Sequence, residues 1–168
     1  LNYAEIKPFD IANSPYIGST IFFSGCKFHC KGCFNEVAWN FDYGKPYTKE
    51  VEDRFISYLK HERVRNANIL GGEPFQQDLD IILGLVKRIK LETNVNIWMW
   101  TGNLFEDLIK NNKCMKILNY VDILVDGQFQ IENKDINLRY RGSSNQRVID
   151  VQESLRKNKT ILSDKYNK

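Results

Sequence analysis

Five short apolar runs of strand type recur along the chain: TIFF at 20–23, ANIL at 67–70, NIWMW at 96–100, DILV at 122–125 and RVIDV at 147–151. Near-continuous apolarity over so few residues predicts strands buried on both faces. Between the first two runs, TKEVEDRFISYLK places Val51, Phe55, Tyr58 and Leu59 on one helical face, with Thr48 at the N-cap and Glu50, Glu52 and Asp53 near the positive end of the dipole. After ANIL, Leu79, Ile82, Leu83, Val86 and Ile89 repeat at helical spacing, and Lys87, Arg88 and Lys90 suit the negative end. Shorter helices are expected around 104–109, 115–118 and 152–156.

Strands alternating with helices predict right-handed crossovers and a mainly parallel sheet, so the fold class is α/β. The residues just after each of the first four strands are small, polar or of ligand type: SGC, GGEP, TG and DGQF. In parallel α/β folds sites assemble at the carboxyl edge of the strands, so these four loops are expected to converge on one place.

A length of 168 residues fits one domain, 1–168, with a core from about 3 to 158. The basic stretch RKNKTILSDKYNK is expected to solvate a helix end and continue as a tail over about 159–168. With 42% hydrophobic and 27% charged residues the chain has the composition of a globular domain. The net charge of +3 is spread among interleaved lysines and acids, which gives no support to nucleic-acid binding. No apolar run reaches the roughly eighteen residues of a membrane span, and no secretory signal is expected at the start. Three clustered cysteines plus Cys114 do not make a secreted disulfide framework, so a reducing cytoplasm is the expected location.

Those three, Cys26, Cys30 and Cys33 in SGCKFHCKGCFN, are separated by four and three residues and read as ligands of one centre. A closed zinc site wants four protein ligands. His29 adjoins Cys30, while His61 and Cys114 are remote in sequence, so zinc is the minority reading. An iron–sulfur cluster on three thiolates leaves one iron open for chemistry. Cys114 by itself reads as a buried, inert thiol.

The CxxxCxxC spacing after an early strand, joined to GGEP after the next, resembles the radical S-adenosylmethionine (SAM) superfamily. SGCxxxCxGCxN, with MWTG at 99–102, VDGQF at 125–129 and RGSSNQR at 141–147 after it in that order, resembles the activating proteins of anaerobic (class III) ribonucleoside-triphosphate reductases. The resemblance runs from about residue 3 to about residue 151. It implies a partial, open (β/α) barrel of radical SAM type in which Cys26, Cys30 and Cys33 hold a 4Fe-4S cluster whose open iron takes the amino and carboxylate groups of SAM. Reductive cleavage of SAM would then give a 5'-deoxyadenosyl radical. No catalytic side chain beyond the cluster and SAM is implied.

The same resemblance implies further site residues. The backbone at Gly71, Gly72 and Glu73 would accept the SAM ammonium group, although GGEP alone also reads as a tight strand-to-helix turn. Many superfamily members carry an aromatic residue immediately before the third cysteine, where this chain has Gly32, so Gly32, Cys33 and Phe34 become candidates for adenine contacts. RGSSNQR reads either as a polar loop entering the final strand or as a wall of the SAM pocket, and Thr101, Asp126 and Ser143 are further candidate pocket positions that equally suit caps and turns.

A complete eight-unit barrel takes more than about 200 residues, so this chain forms only part of one and cannot enclose a small substrate unaided. A large partner is expected to cover the opening. The resemblance supplies it as the large subunit of the anaerobic reductase, which would gain a glycyl radical. It implies in addition a low-potential electron donor such as reduced flavodoxin, and is compatible with a homodimer. The alternatives are an activase of another glycyl-radical enzyme, a small radical SAM enzyme acting on a small molecule, and a non-catalytic zinc or nucleic-acid-binding module.

Overall fold

A computed structural model describes residues 1–167. Seven strands form one sheet in the order β3-β1-β2-β4-β5-β6-β7. They are β1 (Asn2–Asp10), β2 (Gly18–Phe23), β3 (Lys45–Pro46), β4 (Asn66–Gly71), β5 (Asn96–Trp100), β6 (Ile123–Asp126) and β7 (Arg147–Asp150). β2, β4, β5 and β6 run parallel, as their order with intervening helices predicts. β3 and β7 are its two edges, so the sheet stays open.

RVIDV departs from the expected parallel arrangement: β7 is antiparallel to β6. The connection over 127–146 carries only a 3-10 turn, Ile131–Asn133, and without a crossover helix the chain returns in the opposite direction. β1 has no counterpart among the predicted runs. It alternates poorly, contains Pro8, and pairs antiparallel with β2 through two register shifts, so its strand character comes from its neighbour more than from its own pattern.

The two long helices appear where the period places them, α1 at Lys49–Leu59 and α2 at Leu79–Glu92. Thr48 Oγ1 accepts the Val51 amide at 3.3 Å, and Asp78 Oδ1 accepts those of Asp80 and Ile81. Ile56 is buried beside Phe55 and Leu59 in α1, while Tyr58 is half-exposed. α3 (Phe105–Leu108), α4 (Asn112–Leu118) and α5 (Val151–Lys157) are short. The buried residues of all five helices join one core with Ile21, Phe23, Ile69, Ile97, Met99 and Leu124 of the strands. Each fully buried side chain of this size contributes roughly 1.5–3 kcal/mol, so this layer is the main source of stability.

Because strand side chains alternate, the opposite face carries Trp98, Ile123, Val125 and Val148. Loops and the C-terminal stretch cover it, with Tyr140 and Tyr166 packed there. That stretch, expected as a tail, instead folds back along β7: the Ser163 amide donates to Val148 O at 2.9 Å and Leu162 bridges Ile149.

Candidate functional site

The cysteine loop leaves β2 and winds tightly. His29 (φ 50) and Gly32 (φ 77) take left-handed backbone, and the Cys33 amide bonds Cys30 O at 3.1 Å. This winding brings Cys26, Cys30 and Cys33 to one cavity of 440 Å³. The same cavity is lined by Gly71, Gly72 and Glu73 at the end of β4, Thr101 and Gly102 after β5, and Gly127 and Gln128 after β6. The four strand-end loops thus converge at the carboxyl edge. A second cavity of 550 Å³ lies at the amino edge, lined by Tyr16, Lys60, His61, Arg65 and Asn96, and holds none of the thiols.

Close approach explains the glycines. The Gly72 amide donates to Phe23 O at 2.9 Å and that of Glu73 to Gly25 O at 2.8 Å, clamping the end of β4 to the cysteine loop. A Cβ on Gly71, whose φ is 140, would stand 2.1 Å from Phe23 O, and one on Gly72 2.3 Å from Gly25 O. Only glycine allows backbone to meet backbone this closely.

Glu73 is buried and its carboxylate is fully used. Oε1 accepts the Gly102 amide at 2.6 Å, and Oε2 accepts the Phe75 amide at 3.0 Å and the Thr101 hydroxyl at 2.7 Å. Burial pushes its carboxyl up to about 7 against these hydrogen bonds. Thr101 therefore serves as a link in this tie, with its hydroxyl also taking the Asn103 amide at 3.0 Å.

Cys26, Cys30 and Cys33 are half-buried free thiols, and burial raises those of Cys26 and Cys30 above the ordinary 9.0. Among the described residues no group of three or more His, Cys, Asp or Glu side chains is arranged to hold a metal ion. The donors themselves suit an iron–sulfur cluster: three soft sulfurs line one cavity. His29 stacks on Trp39, with ring centroids 4.4 Å apart, and Cys114 belongs to the helix-side core. His61 meets Phe9 beside the other cavity. None of these three joins the thiols.

Gly32 and Phe34 line the cavity, but the Phe34 ring is 84% exposed at its mouth. Asp126 and Ser143 do not line it. The Asp126 carboxylate accepts the Phe105 amide at 2.8 Å and Nη2 of Arg147 at 2.6 Å, and is thereby engaged in capping α3 and pairing β7. Ser143 Oγ accepts the Gln130 amide at 3.1 Å and donates to Asn145 Oδ1 at 2.6 Å, organising the 127–146 loop. Arg141 of RGSSNQR and Trp100 of MWTG also line the cavity, as do Phe28 and Tyr140, which were not singled out from the sequence. For Trp100 the signal was present, since the last residue of a parallel strand sits at the site-bearing edge. For Arg141 it lay in RGSSNQR itself, and for Tyr140 only in its adjacency to that segment.

Comparison with known proteins agrees with this geometry. A family described as a 4Fe-4S single cluster domain matches residues 15–149. An anaerobic ribonucleoside-triphosphate reductase-activating protein of Vibrio cholerae is 40% identical over 150 residues, covering 87% of this chain and 96% of its own. The protein of that name from Escherichia coli K12 is 40% identical over 152 residues, covering 88% and 97%. That of Enterobacteria phage T4 is 33% identical over 150 residues, covering 88% and 93%. With its cysteine loop, its glycine clamp and relatives matched along nearly their whole length, the chain belongs to the family of anaerobic ribonucleoside-triphosphate reductase-activating proteins.

Proposed function

We propose that this protein cleaves SAM reductively and generates a glycyl radical on the large subunit of an anaerobic ribonucleoside-triphosphate reductase. The observation that carries this reading is the meeting of three thiols and the Gly71–Gly72 backbone in one cavity at the carboxyl edge of an open sheet. When bound, a 4Fe-4S cluster and SAM supply the one-electron cleavage and the hydrogen abstraction.

The chain's own residues hold, orient and shield. Cys26, Cys30 and Cys33 would hold the cluster as thiolates, giving up protons that burial favours on Cys26 and Cys30. Glu73 O is taken by the Gln76 amide and Gln77 Nε2, so the SAM ammonium is left the carbonyls of Gly71 and Gly72. Gly32 and Phe34, which line the cavity, would meet the adenine, and Phe28 and Trp100 would keep water from it. Asp126, Thr101 and Ser143 support this cavity through the bonds described above.

We read the open sheet as a partial radical SAM barrel, whose exposed mouth is covered by the reductase. A low-potential donor such as reduced flavodoxin would supply the electron, in a reducing cytoplasm. Reconstituted protein, reduced in the presence of SAM and the reductase, is expected to give a glycyl doublet by electron paramagnetic resonance. No doublet from an intact cluster with a competent donor would overturn the reading.

A further inference from the structure

The family match ends at residue 149, and the chain continues through α5 into residues 159–167. These return along β7 as a strap. The Asp150 amide donates to Ile161 O at 3.0 Å, and the Ile161 amide donates to Ser154 Oγ at 2.8 Å. Tyr166 packs edge-on against Trp98 at 5.0 Å and Tyr140 at 5.8 Å. Asn167 then locks the end: its Nδ2 donates to Val148 O at 2.6 Å and Ser163 O at 2.7 Å, and its Oδ1 accepts the Val148 amide at 3.0 Å.

What this anchorage holds is a residue of the cavity wall. Arg141 Nη2 donates to the main-chain O of Asn167 at 3.2 Å, and Nη1 donates to Gln146 O at 3.0 Å. Its Nε is buried with no partner. Arg147, six residues on, pairs with Asp126 and Glu106, whereas among the described residues no carboxylate pairs with Arg141. Arg141 lines the cavity, and its guanidinium, bonded among the described residues only to neutral carbonyls, keeps a positive charge that suits an anion.

We propose that residues 161–167 are a positioning element: through Asn167 they hold Arg141 where it takes the carboxylate of SAM. This rests on the SAM reading of the cavity. Asn167 does not line the cavity, so its effect passes through Arg141.

Equilibrium dialysis of SAM and of decarboxylated SAM against reconstituted protein, with the cluster left oxidised so that nothing turns over, separates the possibilities. Asn167→Ala, and a chain ended after Asn158, are expected to weaken SAM about tenfold, the scale of one charge-assisted contact, and decarboxylated SAM less than about twofold. In an Arg141→Gln background, Asn167→Ala should add nothing. Unchanged SAM affinity in folded Asn167→Ala protein, equal losses for both ligands, or additive losses in the double variant would each overturn the proposal. Urea unfolding of each variant verifies that the protein dialysed is folded. Wild-type protein that fails to bind SAM overturns the reading of the cavity itself, an outcome distinct from intact wild-type binding with no effect of Asn167.

Discussion

The Glu73 carboxylate accepts the Gly102 amide at 2.6 Å, joining the end of β4 to the end of β5 beneath the cavity floor. With Phe75 and Thr101 also donating to it, one side chain satisfies three groups from two strand-end loops. Glu73→Gln preserves the shape but turns one acceptor into a donor that faces a donor. The expected cost is about 2 kcal/mol, the penalty of an unsatisfied buried group, with Glu73→Ala costing more. Urea unfolding of the apo-protein measures it.

The same carboxyl gives a pH dependence. Burial raises it from 4.5 to about 7, so the native state binds its proton more tightly than the unfolded chain does. Its contribution to stability is present below 4.5 and is lost as pH rises through about 7. The titratable groups near it are the thiols of Cys26, Cys30 and Cys114, which burial raises and its charge raises further. Glu106 acts in the opposite sense: its hydrogen bond to Arg147 lowers it, and its contribution is lost as pH falls below the ordinary carboxylate range. Wild-type protein is therefore expected to lose stability between about pH 5 and pH 8 by on the order of 3 kcal/mol more than Glu73→Gln does. Unfolding midpoints at the two pH values test this, and equal slopes would refute it.

Gly71 and Gly84 are opposite cases. Gly71→Ala would put a methyl 2.1 Å from Phe23 O, at a φ of 140 that alanine resists, so more than about 3 kcal/mol of destabilisation is expected. Gly84 is exposed inside α2 with nothing within 4 Å of an added Cβ. Gly84→Ala should stabilise by about 0.5–1 kcal/mol through helix propensity and a less flexible unfolded chain. Thermal unfolding of the two variants should move in opposite directions.

The parallel core, the two long helices with their caps, and the convergence of four loops were legible because each has a local signal: an apolar run, a 3.6-residue period, or small residues at a strand end. β1 was hidden since Lys7 and Pro8 interrupt its pattern and β2 supplies its partner. The direction of β7 depended on what 127–146 lacked, a helix, more than on anything RVIDV contains. At the cavity, residue type pointed to the thiols and glycines that line it, since these have few other uses at that spacing. It could not tell that Glu73 would be consumed by backbone amides or Asp126 by Arg147, because acid partners come from distant elements. The C-terminal stretch read as solvated from its lysines, yet Tyr166 and Asn167 carry its contacts.

Arg147 ties β7 to its neighbours through Asp126, whose side chain is fully buried, and through the half-exposed Glu106. Removing the guanidinium strands the Asp126 charge in the interior. Arg147→Ala is expected to destabilise by about 3–5 kcal/mol, as in other buried pairs that lose one member. Arg147→Ala combined with Asp126→Asn should recover part of the loss, since no buried charge then remains. A double-mutant cycle by urea unfolding gives the coupling, and a pair whose losses simply add would show the bridge to be idle.

Four cysteines offer a sharp partition between ligand and core. Cys26, Cys30 and Cys33 line the cavity on a tightly wound loop, while Cys114 is buried on α4 among helix-side apolar residues. If these three hold the proposed cluster, serine at any of them removes a soft donor that neither His29, stacked on Trp39, nor Cys114 can replace. Each such variant is expected to lose iron and sulfide together, with the brown absorbance of reconstituted protein, while its circular dichroism stays native. Cys114→Ser should retain iron and colour and instead lose about 1–2 kcal/mol of stability, since a hydroxyl without a partner replaces a thiol in an apolar layer. Iron and sulfide analysis beside urea unfolding on all four variants decides the partition. Retention of full iron by any of the three loop variants would remove that thiol from the ligand set.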